Sequence, residues 1–293
     1  MPRRGTDYAR LAAAVQFGLP DGGPTRPVHR WTVDKLAILA YYVPVFADIC
    51  TRNARGWYFV DAFAGCGVND VAGEYWYKGS ALVGMAAKPS PNFALLVEAD
   101  PVQAEGLRPR AAGFGVPHHV ATANANAELP ALMQRHLTNR HLPGFVVLDP
   151  EGLELAWSTV EAVATHRSQR YTPYELLVYF STPGTARMGG LRGSPHAEQM
   201  LTQLFGNDSW RSTWIRYQSG ELRPGEAGAR YRSLYCDQLR GLGYEHVIER
   251  PVPTPRGTLV YHLLLATNDK TGARLLNEAS ERAFLNNLPL PRP

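Results

Sequence analysis

The chain has 293 residues, 45% of them hydrophobic, and is long enough to bury the core of one domain of about 200 to 250 residues. No apolar run approaches the roughly 18 residues that a membrane span requires. Three cysteines, Cys50, Cys66 and Cys236, lack metal-ligand spacing. Their number and spacing argue against a disulfide framework or a zinc ribbon and favour a cytoplasmic protein.

The formal net charge of +4 is only a weak indication of a nucleic-acid partner. Residues 1–30 and 181–232 each carry a net charge of +3, and the remainder of the chain is net negative. The basic residues are mostly arginine, and the chain is rich in alanine, glycine and proline. The excess of basic residues therefore resembles a compositional bias more than a binding patch.

The first elements in chain order are an N-terminal arm and a long helix. Residues 1–30 include GLPDGGPTRP, whose glycines and prolines argue against a packed element and predict an extended cover or a partly disordered arm. We separate this arm from a folded domain over residues 31–293. TVDKLAILAYYVPVFADIC has apolar residues at helical spacing, with Thr32 as the expected N-cap. Pro44 predicts a kink within one helix or a joint between two.

Five apolar or β-branched runs then alternate with stretches of helical pattern. The runs cover residues 57–63, 93–99, 118–123, 144–149 and 175–181. Strands and helices in alternation predict a parallel sheet that is covered on both faces.

The alternation of strand and helix patterns stops at residues 182–226. This segment is rich in glycine and proline and predicts an inserted helical cap. After a helix closed by glycine, two strands over 244–252 and 258–267 are joined by too few residues for a crossover and must be antiparallel. A final helix is expected over about 270–283. The overall prediction is a doubly wound α/β fold with a mostly parallel seven-stranded sheet and an antiparallel last strand.

The end of the first strand carries the pattern D-x-F-x-G-x-G, formed by Asp61, Phe63, Gly65 and Gly67. Ligands of doubly wound sheets bind beyond the carboxyl ends of the strands, where glycines allow close approach of the backbone. The third glycine of the dinucleotide fingerprint is missing, and a carboxylate repels phosphate but accepts a hydrogen bond from an ammonium group. S-adenosylmethionine carries an ammonium and a sulfonium, so we predict that these four residues bind this cofactor.

The next two strands end in further polar residues. Glu98 is predicted to accept hydrogen bonds from ribose hydroxyls; Asp100 is an alternative, although Asp100 before Pro101 is more typical of a helix N-cap. Asn124 or Asn126 is predicted to contact the adenine edge, while Asn124 is equally well explained as a helix cap.

The fourth strand ends in VVLDPEG. Asp149 is predicted to border the methyl-donor position and to accept a hydrogen bond from the N–H or O–H of an acceptor. Glu151 is interpreted as a general base, as a second substrate clamp or as a solvated loop carboxylate. Scattered histidines such as His118, His119 and His196 have no metal-ligand spacing, and no metal site is predicted.

Several motifs together resemble those of the three-Cys-motif partner protein (TcmP) family, within the class I S-adenosylmethionine-dependent methyltransferases. They are WTVDKLAILAYY, FVDAFAGCG, KGSAL, LVEADP, VVLDPEG and YHLLLATNDKTGARLLNEA, and the resemblance covers about residues 30–285. It implies a Rossmann-like methyltransferase fold, with Asp61, Gly65, Gly67 and Glu98 at the cofactor. The chain has Cys66, Ala81 and Glu151 where the family tends to have proline, proline and an aromatic residue.

Three functions are compatible with these motifs. The first is methyl transfer to N or O of a small-molecule or nucleic-acid acceptor. The second is a methyltransferase-like scaffold without transfer activity, because the family name implies association with a radical-type iron–sulfur protein. The third, a nicotinamide oxidoreductase, is disfavoured by the missing glycine.

Two features of the sequence have alternative interpretations. WRSTWIRY presents Trp210 and Trp214 with Arg211 and Arg216 either for stacking on a nucleic acid or, as we favour, as a helix whose tryptophans pack on the core. Lys35 is more typical of a solvated helix position than of a functional one.

Overall fold

The computed structural model of the protein describes residues 11, 13–18, 21–167, 169–254 and 256–274. In chain order its principal elements are β1 (Arg26–Val28), α1 (Trp31–Ala54), β2 (Tyr58–Asp61), β3 (Val68–Val71), β4 (Tyr75–Lys78), α2 (Ser80–Met85), β5 (Phe93–Glu98), α3 (Pro101–Ala112), β6 (His118–Thr122), α4 (Ala125–His136), β7 (Gly144–Leu148), α5 (Trp157–Thr165), β8 (Glu175–Phe180), α6 (Thr182–Gly189), α7 (Pro195–Phe205), α8 (Arg211–Gln218), α9 (Pro224–Gly241), β9 (His246–Pro253) and β10 (Leu259–Thr267).

The main sheet has seven strands in the order β6-β5-β2-β7-β8-β10-β9. All neighbours from β6 to β8 pair in parallel, and β10 is antiparallel to both β8 and β9. This arrangement is a Rossmann-like class I methyltransferase fold and confirms the predicted fold class. The chain leaves β2 toward β5 and β6 on one side and returns to β7 on the other, so β2 lies at the point where ligands bind in such sheets.

Alternate residues of the central strands enter two separate hydrophobic cores. Phe59 and Phe145 pack with α1, α2 and α3 in one core, whereas Val60 and Val146 pack with α4, α5 and the inserted helices in the other. Because both faces are covered, the parallel strands consist of nearly continuous apolar runs. The sheet is therefore a rigid platform that fixes the positions of residues at its carboxyl edge.

Helix α1 is one continuous helix with Pro44 inside it. The prediction that Thr32 is its N-cap is wrong, because the helix begins at Trp31 and the N-cap position is Arg30, without a side-chain capping bond. The Thr32 amide already donates to the carbonyl of His29, so the first turn starts before this residue.

A second, three-stranded sheet was not predicted. It has the order β1-β3-β4, with β1 parallel and β4 antiparallel to β3. Arg26–Val28 of the N-terminal arm thus form a paired strand, although the glycines and prolines of the arm argued against a packed element. Ala72 and Gly73, both at positive φ, lie in the short connection between β3 and β4.

The insertion consists of helices α6, α7 and α8, as predicted for residues 182–226, and α9 begins within its end at Pro224. Residues 270–274 begin the expected last helix, and the rest of that prediction lies outside the described residues. Within the described residues, every helix is too short or too polar to traverse a lipid bilayer.

Candidate active site

Three acidic residues lie at or beside the carboxyl ends of neighbouring strands. Asp61 ends β2, Glu98 ends β5 and Asp149 follows β7, and these strands are adjacent in the sheet. Parallel pairing aligns their ends, so the polar residues predicted from separate strands lie along one edge.

Asp61 is completely buried and only partly hydrogen-bonded. The Phe63 amide donates to its Oδ1 over 3.1 Å, while its Oδ2 has no hydrogen-bond partner among the described residues. Burial raises the pKa of Asp61 to about 7; the nearby Asp149 contributes to the rise, and the Ser80 side chain and Phe63 amide oppose it. An unpaired buried carboxylate oxygen is costly, and a cationic donor would relieve that cost.

The loop that follows β2, residues 62–67, is called the glycine loop. Gly65 and Gly67 have φ angles of 58° and 83°, in the left-handed region that favours glycine. A Cβ at Gly67 would lie 2.8 Å from Leu107 Cδ1, so this glycine serves packing. A Cβ at Gly65 would have no neighbour closer than Gln103 Oε1 at 3.6 Å, which leaves its backbone open to a ligand.

Glu98 connects the ends of β2 and β5. Its Oε2 accepts a hydrogen bond from the Gly65 amide and its Oε1 accepts one from the Asp100 amide, each over 2.8 Å. The carboxylate therefore holds the glycine loop in place and keeps free lone pairs for further donors. Asp100 caps α3 by accepting from the Val102 and Gln103 amides, which confirms its interpretation as an N-cap.

The two asparagines after β6 have structural partners. Asn124 caps α4, and its Oδ1 accepts from the Asn126 amide over 2.9 Å. Asn126 donates to the Glu154 carbonyl and accepts from the Ala156 amide, so its side chain joins α4 to the loop after β7. The predicted contact of Asn124 with adenine stays a prediction.

Asp149 forms an ion pair with Lys35, which donates from Nζ to Asp149 Oδ2. The two side chains are 12% and 15% exposed, and Lys35 Nζ also lies 4.4 Å from the centroid of the Tyr179 ring. The expectation of a solvated Lys35 is therefore wrong. Helix α1 packs beside the carboxyl edge of the sheet and directs this lysine toward the end of β7.

Glu151 is mostly exposed and forms an ion pair with Arg26 of β1 over 2.8 Å. The loop that carries Glu151 is held by Glu154, whose carboxylate accepts from the Glu151 and Gly152 amides over 2.6 and 2.7 Å. Sequence analysis missed Glu154. The available signal for a residue that binds the loop backbone was an acidic residue three positions after Glu151. Glu154 fixes the backbone beside Asp149.

The N-terminal strap, residues 21–28, covers the glycine loop from outside. Arg110 of α3 holds the strap by donating to the Asp21 carboxylate and to the Pro24 carbonyl, and it also donates to the Cys66 carbonyl over 2.8 Å. The hydrogen bond from Arg110 lowers the pKa of Asp21 to about 2. Cys66 is buried and its thiol donates to the Val68 carbonyl, which fits a small packing residue.

A narrow pocket lies beside the glycine loop. Its lining comes from the strap, α1, the glycine loop, β3, the start of α2 and Asp149. Its lining residues are Arg26, Val28, Thr32, Lys35, Leu36, Phe63, Ala64, Gly65, Cys66, Gly67, Val68, Asn69, Gly79, Ser80 and Asp149. The pocket thus brings together Phe63, Gly65, Gly67 and Asp149 from the sequence prediction and adds Lys35 and Arg26. The other predicted site residues lie outside its lining: Asp61, which is completely buried, Glu98, Asn124 and Glu151.

The side chains around the glycine loop fit S-adenosylmethionine better than a phosphate. Asp61 Oδ2 and Gln103 Oε1 are buried hydrogen-bond acceptors without partners among the described residues, and Gln103 Oε1 lies 3.6 Å from the position of a Cβ at Gly65. An ammonium group and ribose hydroxyls are donors, whereas a pyrophosphate offers only acceptors. Within the described part of the chain, no group of three or more His, Cys, Asp or Glu residues is arranged to hold a metal ion.

No protein-family model matches the sequence, and no curated protein matches it; the TcmP resemblance stays a prediction. Among solved structures, protein LPL1258 from Legionella pneumophila, of family-model DUF519, is similar with a TM-score of 0.51 and 13% identity over 84% of this chain and 91% of that chain. This likeness concerns the fold alone.

Trm1 from Pyrococcus horikoshii, solved with S-adenosyl-L-methionine, matches with a TM-score of 0.40 and 14% identity over 84% of this chain and 58% of that chain. By its strand order, the protein has a Rossmann-like methyltransferase fold, with a polar pocket at the carboxyl ends of the parallel strands.

Proposed function

We propose that the protein is an S-adenosylmethionine-dependent methyltransferase that acts on N or O of an acceptor molecule. The observation that carries this proposal is the buried Asp61, whose Oδ2 lacks a partner beside a glycine loop at the switch point of the sheet. A cationic donor at this oxygen would satisfy it and stabilise its ionised form.

The chain's own residues have distinct roles in this proposal. Asp61 accepts hydrogen bonds from the ammonium group, Glu98 accepts from ribose hydroxyls, and the open backbone at Gly65 allows close approach. Gly67, which packs against Leu107, contributes to the pocket lining beside the cofactor. Phe63 contacts the cofactor from the pocket wall and Asn124 borders the adenine edge. When bound, the cofactor supplies an electrophilic methyl group.

Asp149 orients the acceptor by accepting a hydrogen bond from its N–H or O–H. Alignment of this kind lowers the activation free energy by up to ~7–11 kcal/mol. Because methyl transfer from a sulfonium neutralises its positive charge, the reaction needs little basicity from the protein. Glu151 is mostly exposed and paired with Arg26; once that pair opens, it accepts the proton that the acceptor loses or contacts the acceptor. Glu154 keeps the intervening backbone in place.

The side chains of the WRSTWIRY segment indicate the class of acceptor. Trp210 is buried in the core, Trp214 packs against it, Arg211 forms ion pairs with Glu198 and Asp208, and Arg216 pairs with Glu221. Helix α8 therefore does not offer these tryptophans for stacking on a nucleic acid, which favours a small-molecule acceptor.

A scaffold role remains the second proposal. In the described structure Asp149 is paired with Lys35, and Glu151 is paired with Arg26, so both acidic groups of the acceptor site are engaged. A protein that binds the cofactor but assists a radical-type iron–sulfur partner would not need these groups to be free. Substitution of Asp149 and Glu151 by alanine separates the two proposals, because only an enzyme loses transfer while keeping cofactor affinity.

The direct test is incubation of the purified protein with methyl-labelled S-adenosylmethionine and separate pools of RNA, DNA and small metabolites. Thermal shift with S-adenosylhomocysteine serves as the binding control. Label in the small-molecule fraction alone would support the favoured acceptor class. Absence of both label and thermal shift would refute the methyltransferase proposal, and binding without label in any pool would favour the scaffold.

A further inference from the structure

Arg26, Lys35 and Asp149 give the pocket lining charges of both signs. In the proposed function Asp61, which lies outside that lining, binds only the ammonium group of a zwitterionic ligand. Lys35 of α1 and Arg26 of β1 are the two cations of this lining. The amino-acid end of S-adenosylmethionine and S-adenosylhomocysteine has a carboxylate beside its ammonium group. An enclosed carboxylate requires a charged or hydrogen-bonded partner of its own.

Lys35 is better placed than Arg26 to be that partner. The Lys35 side chain is 12% exposed, whereas the Arg26 side chain is 33% exposed and pairs with the largely solvated Glu151. An ammonium group has three donors, and the observed bond to Asp149 uses one of them. Tyr179, whose ring lies beside Nζ, restricts water around the remaining donors and so strengthens a bond to a second carboxylate.

We infer that Lys35 binds the carboxylate of the cofactor's amino-acid end while Asp61 binds its ammonium group. This inference deepens the proposed function and rests on it. Lys35 then has two carboxylates within reach, that of Asp149 and that of the ligand. Because they share one cation, ligand binding weakens the hold of Lys35 on Asp149 and leaves Asp149 more available to an acceptor. Cofactor binding is therefore expected to precede acceptor binding.

The test compares two ligands that differ only in the carboxylate: S-adenosylhomocysteine and its decarboxylated analogue, which keeps the ammonium group. Isothermal titration calorimetry gives the affinity ratio for each protein variant. Wild-type protein is expected to prefer the carboxylated ligand by about 30-fold, the value of a charge-assisted hydrogen bond of ~2 kcal/mol. Lys35→Met should reduce this preference to below about threefold, mainly through weaker binding of S-adenosylhomocysteine.

Three further variants keep the test decisive. Lys35→Met/Asp149→Asn removes both members of the ion pair, so that no buried charge is left unpaired, and should show the same loss of preference. Lys78→Met is the matched control, because Lys78 lies outside the pocket and donates to the Ala14 carbonyl. Arg26→Gln tests the other cation and should keep most of the preference.

The outcomes distinguish this inference from the proposed function. If wild-type protein binds neither ligand, the proposed function fails. If wild-type protein binds both ligands and Lys35→Met leaves the preference for the carboxylated ligand unchanged, the assignment of Lys35 is wrong while the proposed function stands. The same conclusion follows if Arg26→Gln, and not Lys35→Met, removes this preference. Loss of preference in both Lys35 variants, with circular dichroism melts showing folded protein, supports the assignment.

Discussion

Two carboxylates with raised pKa values lie at opposite ends of the parallel strands of the main sheet, Asp61 completely buried and Glu175 partly buried. Asp61 ends β2 at the carboxyl edge, and Glu175 begins β8 at the opposite edge. Burial is the largest cause that raises the pKa of each to about 7. Both oxygens of Glu175 are hydrogen-bonded, to the hydroxyls of Tyr42 and Thr267 over 2.6 and 2.7 Å, whereas Asp61 Oδ2 has no partner among the described residues.

The comparison teaches that a perturbed pKa does not by itself identify a ligand site. Glu175 has the same perturbed pKa as Asp61, but its hydrogen bonds are complete and serve to join α1, β8 and β10. Asp61 has an acceptor that the protein leaves unused, beside a backbone loop that a ligand can approach. Incomplete hydrogen bonding, more than burial, marks the functional group.

Ligand affinity should separate the two residues most strongly. We expect Asp61→Asn to weaken S-adenosylhomocysteine binding by about 100-fold, because a neutral amide replaces the charged acceptor of the ammonium group. Glu175→Gln is the matched control and should change the affinity by less than about threefold. Calorimetric titration measures both, and equal effects of the two substitutions would contradict the comparison.

Stability should show the opposite ranking. Glu175→Ala leaves the buried hydroxyls of Tyr42 and Thr267 without their acceptor and should lower the free energy of unfolding by about 2–4 kcal/mol. Asp61→Asn removes an unpaired buried charge and should change it by less than about 1 kcal/mol or raise it. Urea denaturation of each variant measures the difference. A larger loss from Asp61→Asn would mean that Asp61 is the structural residue.

The two carboxylates should act together in the pH dependence of stability. Their pKa values are raised in the folded protein, so the fold retains protons that the unfolded chain has already released. The unfolding free energy should therefore decrease from about pH 4 to about pH 7 and level off above it, as far as these groups contribute. Denaturation of wild-type protein across this range should show the slope, and Asp61→Asn/Glu175→Gln should flatten it.

Ligand binding provides a related measurement. Because Asp61 must be ionised to accept from an ammonium group, affinity for S-adenosylhomocysteine should rise as the pH increases toward 7 and change little above it. Titrations from pH 5.5 to 8 test this, with the pH values chosen around the pKa of Asp61. An affinity that falls over the same interval would contradict an ionised Asp61 in the complex.

The smallest effect is expected for the loop beside Asp149. Glu154→Gln keeps the size of the side chain but weakens its hydrogen bonds to the Glu151 and Gly152 amides. The hydrogens of these two amides should then exchange with solvent about five- to thirtyfold faster, which corresponds to ~1–2 kcal/mol of lost stabilisation. Hydrogen exchange read by NMR measures these amides. Unchanged exchange would show that the backbone holds the loop without Glu154.

The prediction from sequence succeeded where local pattern decides structure. Apolar runs of strand length, alternating with helical periodicity, led to the seven strands of the main sheet, and Asp100 before Pro101 indicated a cap. The second sheet was missed because its three short strands come from two separated segments, 26–28 and 68–78, and two of them resemble a loop next to a glycine-rich turn. The Thr32 cap was wrong because the residues before it already form the first turn.

The sequence by itself determined which acidic residues would meet at one edge, because Asp61, Glu98 and Asp149 each follow an apolar strand and parallel strands align their ends. Only the tertiary structure decided how these residues are paired. Lys35 reaches Asp149 across 114 positions, and Glu98 holds the Gly65 amide across 33. Such contacts depend on how α1 and the loops pack on the sheet, which is a property of the whole core and has no local pattern.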